Sequence, residues 1–285
     1  MERPLLTEAL DFREECDALY ALLATRPDED FQFATLFKQW TIDDVLGHLH
    51  LGDQAVLATL DGEHAYAAAA SPLREAMAAG LPLTVATSKC LNGLHGRKLL
   101  ERWHSTTAEV ARRYAETDAA RRVAWGKVHM SARSCISARV METWSHGQEI
   151  YDRLDQVRHD TDRIKGVAFL GVNTFGFTFS NRGLEPPAEK PFVKLTAPSG
   201  AVWTWNSPAA GSSVEGSAVQ FCQVVAQTRS VGDTQLVVKG EAAIRWMSIA
   251  QCFAGAPEDP PPPGSRRRHA EALASFGADP HSRRS

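Results

Sequence analysis

Two hydrophobic periods divide this chain, and the change between them falls at Pro186-Pro187. Before it, apolar residues recur every three to four positions over four long stretches, the spacing that turns one stripe of an α-helix inward. After it, FVKLTAPSGAVWTW (192–205) alternates apolar and polar on either side of a Pro-Ser-Gly turn, the spacing of a strand hairpin. One layer of structure cannot serve both periods, so the chain reads as α+β, with a helical part first and a mixed part second.

In the first part, Leu6, Leu10, Cys16, Leu19, Tyr20 and Leu23 mark a helix that Pro27 follows. A second helix begins after Trp40, where Thr41 and Asp44 have capping-box spacing, and carries Val45, Leu46, Leu49, Val56, Leu57 and Leu60 to Asp61-Gly62. A third is predicted over 89–116, with Leu99, Leu100, Trp103, Val110, Ala111 and Tyr114 inward. A fourth starts near Ser131 and carries Ile136, Val140, Trp144, Gly147, Tyr151 and Leu154. The alanine-rich stretch 67–82 reads as a short helix or an ordered crossover.

These helices predict a four-helix bundle over 1–158. Residues 159–187 read as a connecting helix or linker and 188–257 as a small α+β domain. In that domain the hairpin precedes a strand at 212–215, a helix over 217–228, a strand at 235–239 and a helix over 241–253. The Pro- and Arg-rich residues 258–285 predict a flexible tail.

Composition narrows the function. Lys and Arg total 31 against 34 Asp and Glu, so the chain lacks the overall positive field of a nucleic-acid binder. No run approaches the uninterrupted apolar length of a membrane span. The acidic start MERPLLTEALDFREEC is unlike a secretory signal, which predicts a cytoplasmic protein. Five scattered cysteines without a C-x-x-C pair argue against a disulfide framework or a cysteine-rich zinc module. There is no G-x-S-x-G, Walker loop or Rossmann glycine fingerprint, so nucleotide chemistry has no support.

The chemistry-bearing pattern is Glu142 and His146, one helical turn apart, which lets two donor atoms reach the same point. A surface ion pair is the ordinary alternative for such a pair. A third donor is available in DDVLGHLHLGD, from either His48 or His50. On the helical wheel His48 lies roughly 115° and His50 roughly 85° from the apolar stripe, so periodicity leans toward His50 without deciding. Glu142 and His146 flank their own stripe, by roughly 140° and 100°, which suits a site at an open end or edge of the bundle. Asp53 falls near the centre of its stripe, where a carboxylate is expensive unless it is paired, with Arg139 for example, or serves a site.

The segments WTIDDVLGHL (40–49) and RVMETWSHGQEI (139–150) resemble the DinB-like superfamily, in particular its mycothiol-dependent maleylpyruvate isomerase branch. H-G-R-K (95–98), W-G-K-V-H-M-S (125–131) and I-A-Q-C-F-A-G-A-P (249–257) resemble an uncharacterised group within that branch, and the second half resembles a domain linked to wyosine-base formation. The resemblance implies a divalent metal, normally zinc, held by His48, Glu142 and His146. It further implies a thiol co-substrate such as mycothiol, activated by the metal for attack on a small electrophilic substrate, with transfer or isomerisation as the outcome. Asp53 and Arg139 would then orient the metal's surroundings or the substrate, and Arg229, Lys239 and Arg245 are candidate contacts for an anionic substrate. The alternative reading is a non-catalytic metal-binding protein that senses a small ligand.

Overall fold

The computed structural model describes residues 6–126 and 128–266. Two compact units emerge within these residues. The first takes in the chain up to Ala34, Lys38–Gly147 and Arg163–Leu170, and the second Thr35–Phe37, Gln148–Asp162 and the chain from Gly171. The architecture is α+β, as the two periods predict.

The first unit is helical. It contains α1 (Thr7–Leu23), α2 (Ile42–Thr59), α3 (Glu63–Ala78), α4 (Leu83–Leu91), α5 (Gly96–Ala115) and most of α6 (Ala132–Arg153). Phe12, Cys16, Leu19, Leu46, Leu49, Trp103, Tyr114 and Trp144 are wholly buried and make up its core. The capping box at α2 is complete: Thr41 Oγ1 accepts from the Asp44 amide at 3.1 Å, and Asp44 Oδ2 accepts from the Thr41 amide at 2.9 Å. Asp43 Oδ1 accepts from the Gly96 amide at 2.7 Å, tying the start of α2 to the start of α5.

The unit departs from expectation in three places. The single helix predicted over 89–116 is two, α4 and α5, because Asn92 (φ 49°) and Gly93 (φ 83°) take left-handed conformations that end the first. The alanine-rich stretch forms a full helix, α3, that accommodates Pro72. The segment before α6 is a hairpin, in which β1 (Arg122–Trp125) pairs antiparallel with β2 (Val128–Ser131).

The second unit holds a four-stranded sheet ordered β4-β3-β5-β6. In it β3 (Phe192–Thr196) runs antiparallel to β4 (Val202–Trp205) and parallel to β5 (Ser213–Ser217), which pairs antiparallel with β6 (Val237–Lys239). Helices α9 (Ala218–Val225) and α10 (Glu241–Ile249) follow the predicted pattern with slightly shorter ends. The apolar stretch ahead of the sheet yields α7 (Lys165–Asn173) and α8 (Phe175–Ser180). Phe175, Phe179 and Phe221 meet edge to face with one another or with Trp246, so aromatic rings fill this core.

Part of the predicted tail is described. Glu258 O accepts from Gln227 Nε2 at 2.8 Å, the Gly264 amide donates to Asp233 Oδ1 at 2.8 Å, and Arg266 Nη1 donates to Glu149 Oε1 at 2.8 Å. The remainder of that tail, from residue 267, lies outside the described residues. Among the described residues no helix is long and apolar enough to cross a membrane.

Candidate metal centre

Helix α2 presents His48, and α6 presents Glu142 and His146 one turn apart, all within the first unit. His48 Nε2 lies 3.1 Å and His146 Nε2 3.6 Å from the same oxygen, Glu142 Oε2. One donor atom from each of the three residues lies within 4.8 Å of the other two. The side chains keep 26%, 19% and 12% exposure for His48, Glu142 and His146, so the cluster is neither sealed nor a solvated surface pair.

Trp40 organises the imidazoles. Its ring stacks on His146 with centroids 5.7 Å apart and planes 8° from parallel, and meets His48 edge-on at 5.5 Å. The two imidazoles meet each other at 4.9 Å. Burial pushes the Glu142 carboxyl up, but the His48 hydrogen bond and the nearby His48, His146 and Arg139 charges outweigh it and hold the group down at about 2.

Beside this cluster Asp53 and Arg139 form a buried ion pair, with Asp53 Oδ1 2.8 Å from Arg139 Nε and side-chain exposures of 0% and 3%. Trp103 Nε1 donates to the other Asp53 oxygen at 2.9 Å, and Arg139 Nη2 donates to the Leu49 carbonyl at 3.2 Å. Burial pushes the Asp53 carboxyl up, against the pull of Arg139 and Trp103. The guanidinium lies flat on Gly52: a Cβ there would sit 2.8 Å from Nη1 and 3.0 Å from Cζ. Asp53 is thus the paired core carboxylate its position demanded, and Arg139 joins α6 to the α2 backbone one residue from His48.

His50, toward which the helical wheel leaned, is turned away into the protein. It is 2% exposed, its Nδ1 is buried without a hydrogen-bond partner, and burial drives its pKa down to about 4. Helix α2 packs against α3, α4 and α5, so it is covered on more than its apolar stripe. Trp125 and Met130 sit in the β1–β2 hairpin, opposite Val128 and Val123. Of the cations suggested for an anionic substrate, Arg229 is engaged by both oxygens of Asp152 at 2.7 and 2.8 Å, and Arg245 lies over the Phe179 ring. Two contributors went unread in the sequence: Trp40 as the ring packed on both histidines, and Trp103 as the donor to Asp53. Both tryptophans stood out only as apolar positions, and their polar or stacking roles depend on which helices meet.

A helical bundle that gathers two imidazoles and one carboxylate at a single point, with a tryptophan braced against them, defines the class of this protein. The chain belongs to the mycothiol maleylpyruvate isomerase N-terminal domain family, whose model matches residues 12–151. It is 37% identical over 252 residues to two Mycobacterium tuberculosis proteins, the uncharacterized protein MT0041 of strain CDC 1551 / Oshkosh and the uncharacterized protein Rv0036c of strain ATCC 25618 / H37Rv. Each match spans 87% of this chain and 95% of the relative. Among solved structures, the mycothiol-dependent maleylpyruvate isomerase aligns at a TM-score of 0.48 and a histidine-to-alanine mutant of it at 0.49. Both share 15% identity with this chain and cover 78% of it and 88% of their own length.

Proposed function

We propose that this chain is a metal-dependent enzyme that uses a low-molecular-weight thiol, mycothiol or a close equivalent, for isomerisation of or S-transfer to a small electrophile. The observation that carries the proposal is the convergence of one donor atom from each of His48, Glu142 and His146 within 4.8 Å of one another. The donor set fits zinc or a similar divalent ion, since two neutral imidazoles and one carboxylate are an ordinary three-protein-ligand set with a coordination position left over. A divalent ion bound there would supply Lewis acidity, favouring the thiolate form of a coordinated thiol at neutral pH.

The chain's own residues have separable tasks in this reading. Glu142 stays ionised and so is ready to accept a cation without first losing a proton. Trp40 restricts the rotation of both imidazoles, so their nitrogens are presented together. Asp53 holds Arg139, and Arg139 holds the α2 backbone at Leu49, so the spacing between the helices that carry the donors is set by a buried pair.

The test is metal content by elemental analysis of the purified chain and of His48→Ala, His146→Ala and His50→Gln, followed by thiol-dependent turnover of electrophiles. Close to one equivalent of zinc, lost in the first two variants and kept in the third, supports the centre. Thiol-dependent turnover lost in the same two variants supports the enzyme. Absence of metal, or metal indifferent to His48 and His146, overturns the proposal; metal without turnover leaves the ligand-sensing alternative.

A further inference from the structure

Cysteines Cys16, Cys90 and Cys135 belong to the first unit, and Cys222 and Cys252 to the second. Cys222 lies within α9, and Cys252 follows the end of α10. The fold laces these two segments together at the last turn of α9. The Cys252 amide donates to the Val225 carbonyl at 2.9 Å, and Gln227 Nε2 donates to the Ala250 carbonyl at 2.9 Å. Val225 is one helical turn beyond Cys222, so the backbone of Cys252 is anchored beside the part of α9 that carries the other thiol.

Both thiols are withdrawn from water, Cys222 at 0% exposure and Cys252 at 4%. Burial pushes the Cys222 thiol well above its ordinary value, and the largest influence of any single neighbouring charge comes from Cys252, ahead of Asp160 and Arg158. An influence that exceeds those of a carboxylate and a guanidinium requires the two sulfurs to be neighbours, since charge effects fall with distance. The pair is therefore defined twice, by the backbone bonds that hold the segments and by the effect of one sulfur on the other.

We infer that Cys222 and Cys252 are an oxidant-responsive pair, which a small peroxide converts to a disulfide that clips the segment after α10 to α9. Cys252, the more exposed thiol, loses its proton and attacks hydrogen peroxide. An S–O bond forms, the O–O bond breaks, and the departing hydroxide takes up the proton as water, leaving a sulfenic acid. Cys252 is then uncharged, which removes the largest charge effect that keeps Cys222 protonated. The Cys222 thiolate attacks the Cys252 sulfur, the S–S bond forms, and the hydroxide released becomes the second water. Two thiols and one peroxide thus give one disulfide and two waters, the sulfurs losing the two electrons that the peroxide gains. Burial slows the first step, so the pair answers sustained oxidant rather than a brief pulse. Helix α9 also supplies Val219, Gln220 and Gln223 to the wall of a cavity of about 390 Å³ in the same unit, and the bridge fixes that wall. The inference goes beyond the metal reading and does not depend on it.

The test exposes the full chain to hydrogen peroxide, blocks the remaining thiols with N-ethylmaleimide in denaturant and maps the peptides by mass spectrometry. It is repeated in Cys90→Ser, which removes the half-buried thiol of α4 as a competitor. In both proteins the peptides of Cys222 and Cys252 should be joined, lighter by two hydrogens, and separated again by dithiothreitol. The oxidised form should melt about 5–10 °C higher, since the bridge closes a long loop of the unfolded chain. The link is read in the wild type, so the result does not depend on whether a variant of the pair folds. Both thiols labelled after prolonged exposure, a link to another cysteine, over-oxidation without a link, or a link that leaves the melting temperature unchanged would overturn the inference. None of His48, Glu142 and His146 is altered, so metal content measured before and after oxidation reports on the metal proposal separately.

Discussion

Helix α6 carries charged residues into the interior of both units, and the two burials differ in how completely they are satisfied. In the first unit Arg139 meets Asp53, and both Asp53 oxygens have donors, Arg139 Nε on one and Trp103 Nε1 on the other. In the second unit Glu149 meets Arg266 through Oε1, while its Oε2 is buried with no hydrogen-bond partner. Burial, and then the neighbouring Asp152 charge, push Glu149 up to about 7 against the pull of Arg266 and Arg229. Ion pairing alone therefore does not make a buried carboxylate a fixed structural charge. Burial raises both carboxyls, and Glu149 has in addition one oxygen without a donor, which keeps the full cost of leaving water.

The largest effect expected from this contrast is at Arg139. Replacing it with Met leaves the buried Asp53 carboxyl with Trp103 as its one side-chain donor and no cation beside it, and chemical denaturation should show a loss of about 3–5 kcal/mol. Arg229→Met should cost less, because Arg229 and Asp152 keep 7% and 2% side-chain exposure where Arg139 and Asp53 keep 3% and 0%; equal losses would break the comparison.

Next comes pH. Folded Glu149 keeps its proton up to about pH 7, whereas an unfolded glutamate loses it near the ordinary 4.5, so the folded chain carries the extra proton between those values. Stability should thus be highest toward the lower end of that window and fall as pH rises to about 7, by at most roughly 3 kcal/mol. Denaturation curves across the window should flatten in Glu149→Gln, and an unchanged slope would remove Glu149 as the cause.

A smaller loss, about 1–3 kcal/mol, is expected for Gly52→Ala, since the new methyl would collide with a guanidinium that cannot swing aside without breaking its pairing. Thr41→Ala should cost about 1 kcal/mol by removing the cap of the helix that carries His48 and Asp53. Thermal melting of these two variants side by side would show whether the buried pair or the helix terminus is the more sensitive support of α2.

Much of the fold was legible because its signals are local. The 3.6-residue stripes located α1, α2 and α6, Thr41 and Asp44 marked the start of α2, and alternation around Pro-Ser-Gly located β3 and β4. The break between α4 and α5 was also written locally, in Asn92-Gly93, but the leucines on either side kept a helical spacing that masked it. The β1–β2 hairpin escaped because its strands are four residues each and its burial pattern alternates poorly. At the candidate site, Glu142 and His146 could be paired from their spacing on one helix. Periodicity could not choose between His48 and His50, since both lie on flanks of the same stripe.

The amino-acid sequence by itself determined the α+β class, the run of the principal helices and strands, and the residue types from which a three-donor cluster can be made, because period, capping and turn chemistry act over a few residues. Only the tertiary structure decided that His48 lies beside Glu142 while His50 is buried, that Trp40 is packed on both histidines of the cluster, and that Asp53 has two donors where Glu149 has one. Those outcomes depend on which helix faces meet and how much water they exclude, quantities set by contacts between residues as many as 117 positions apart.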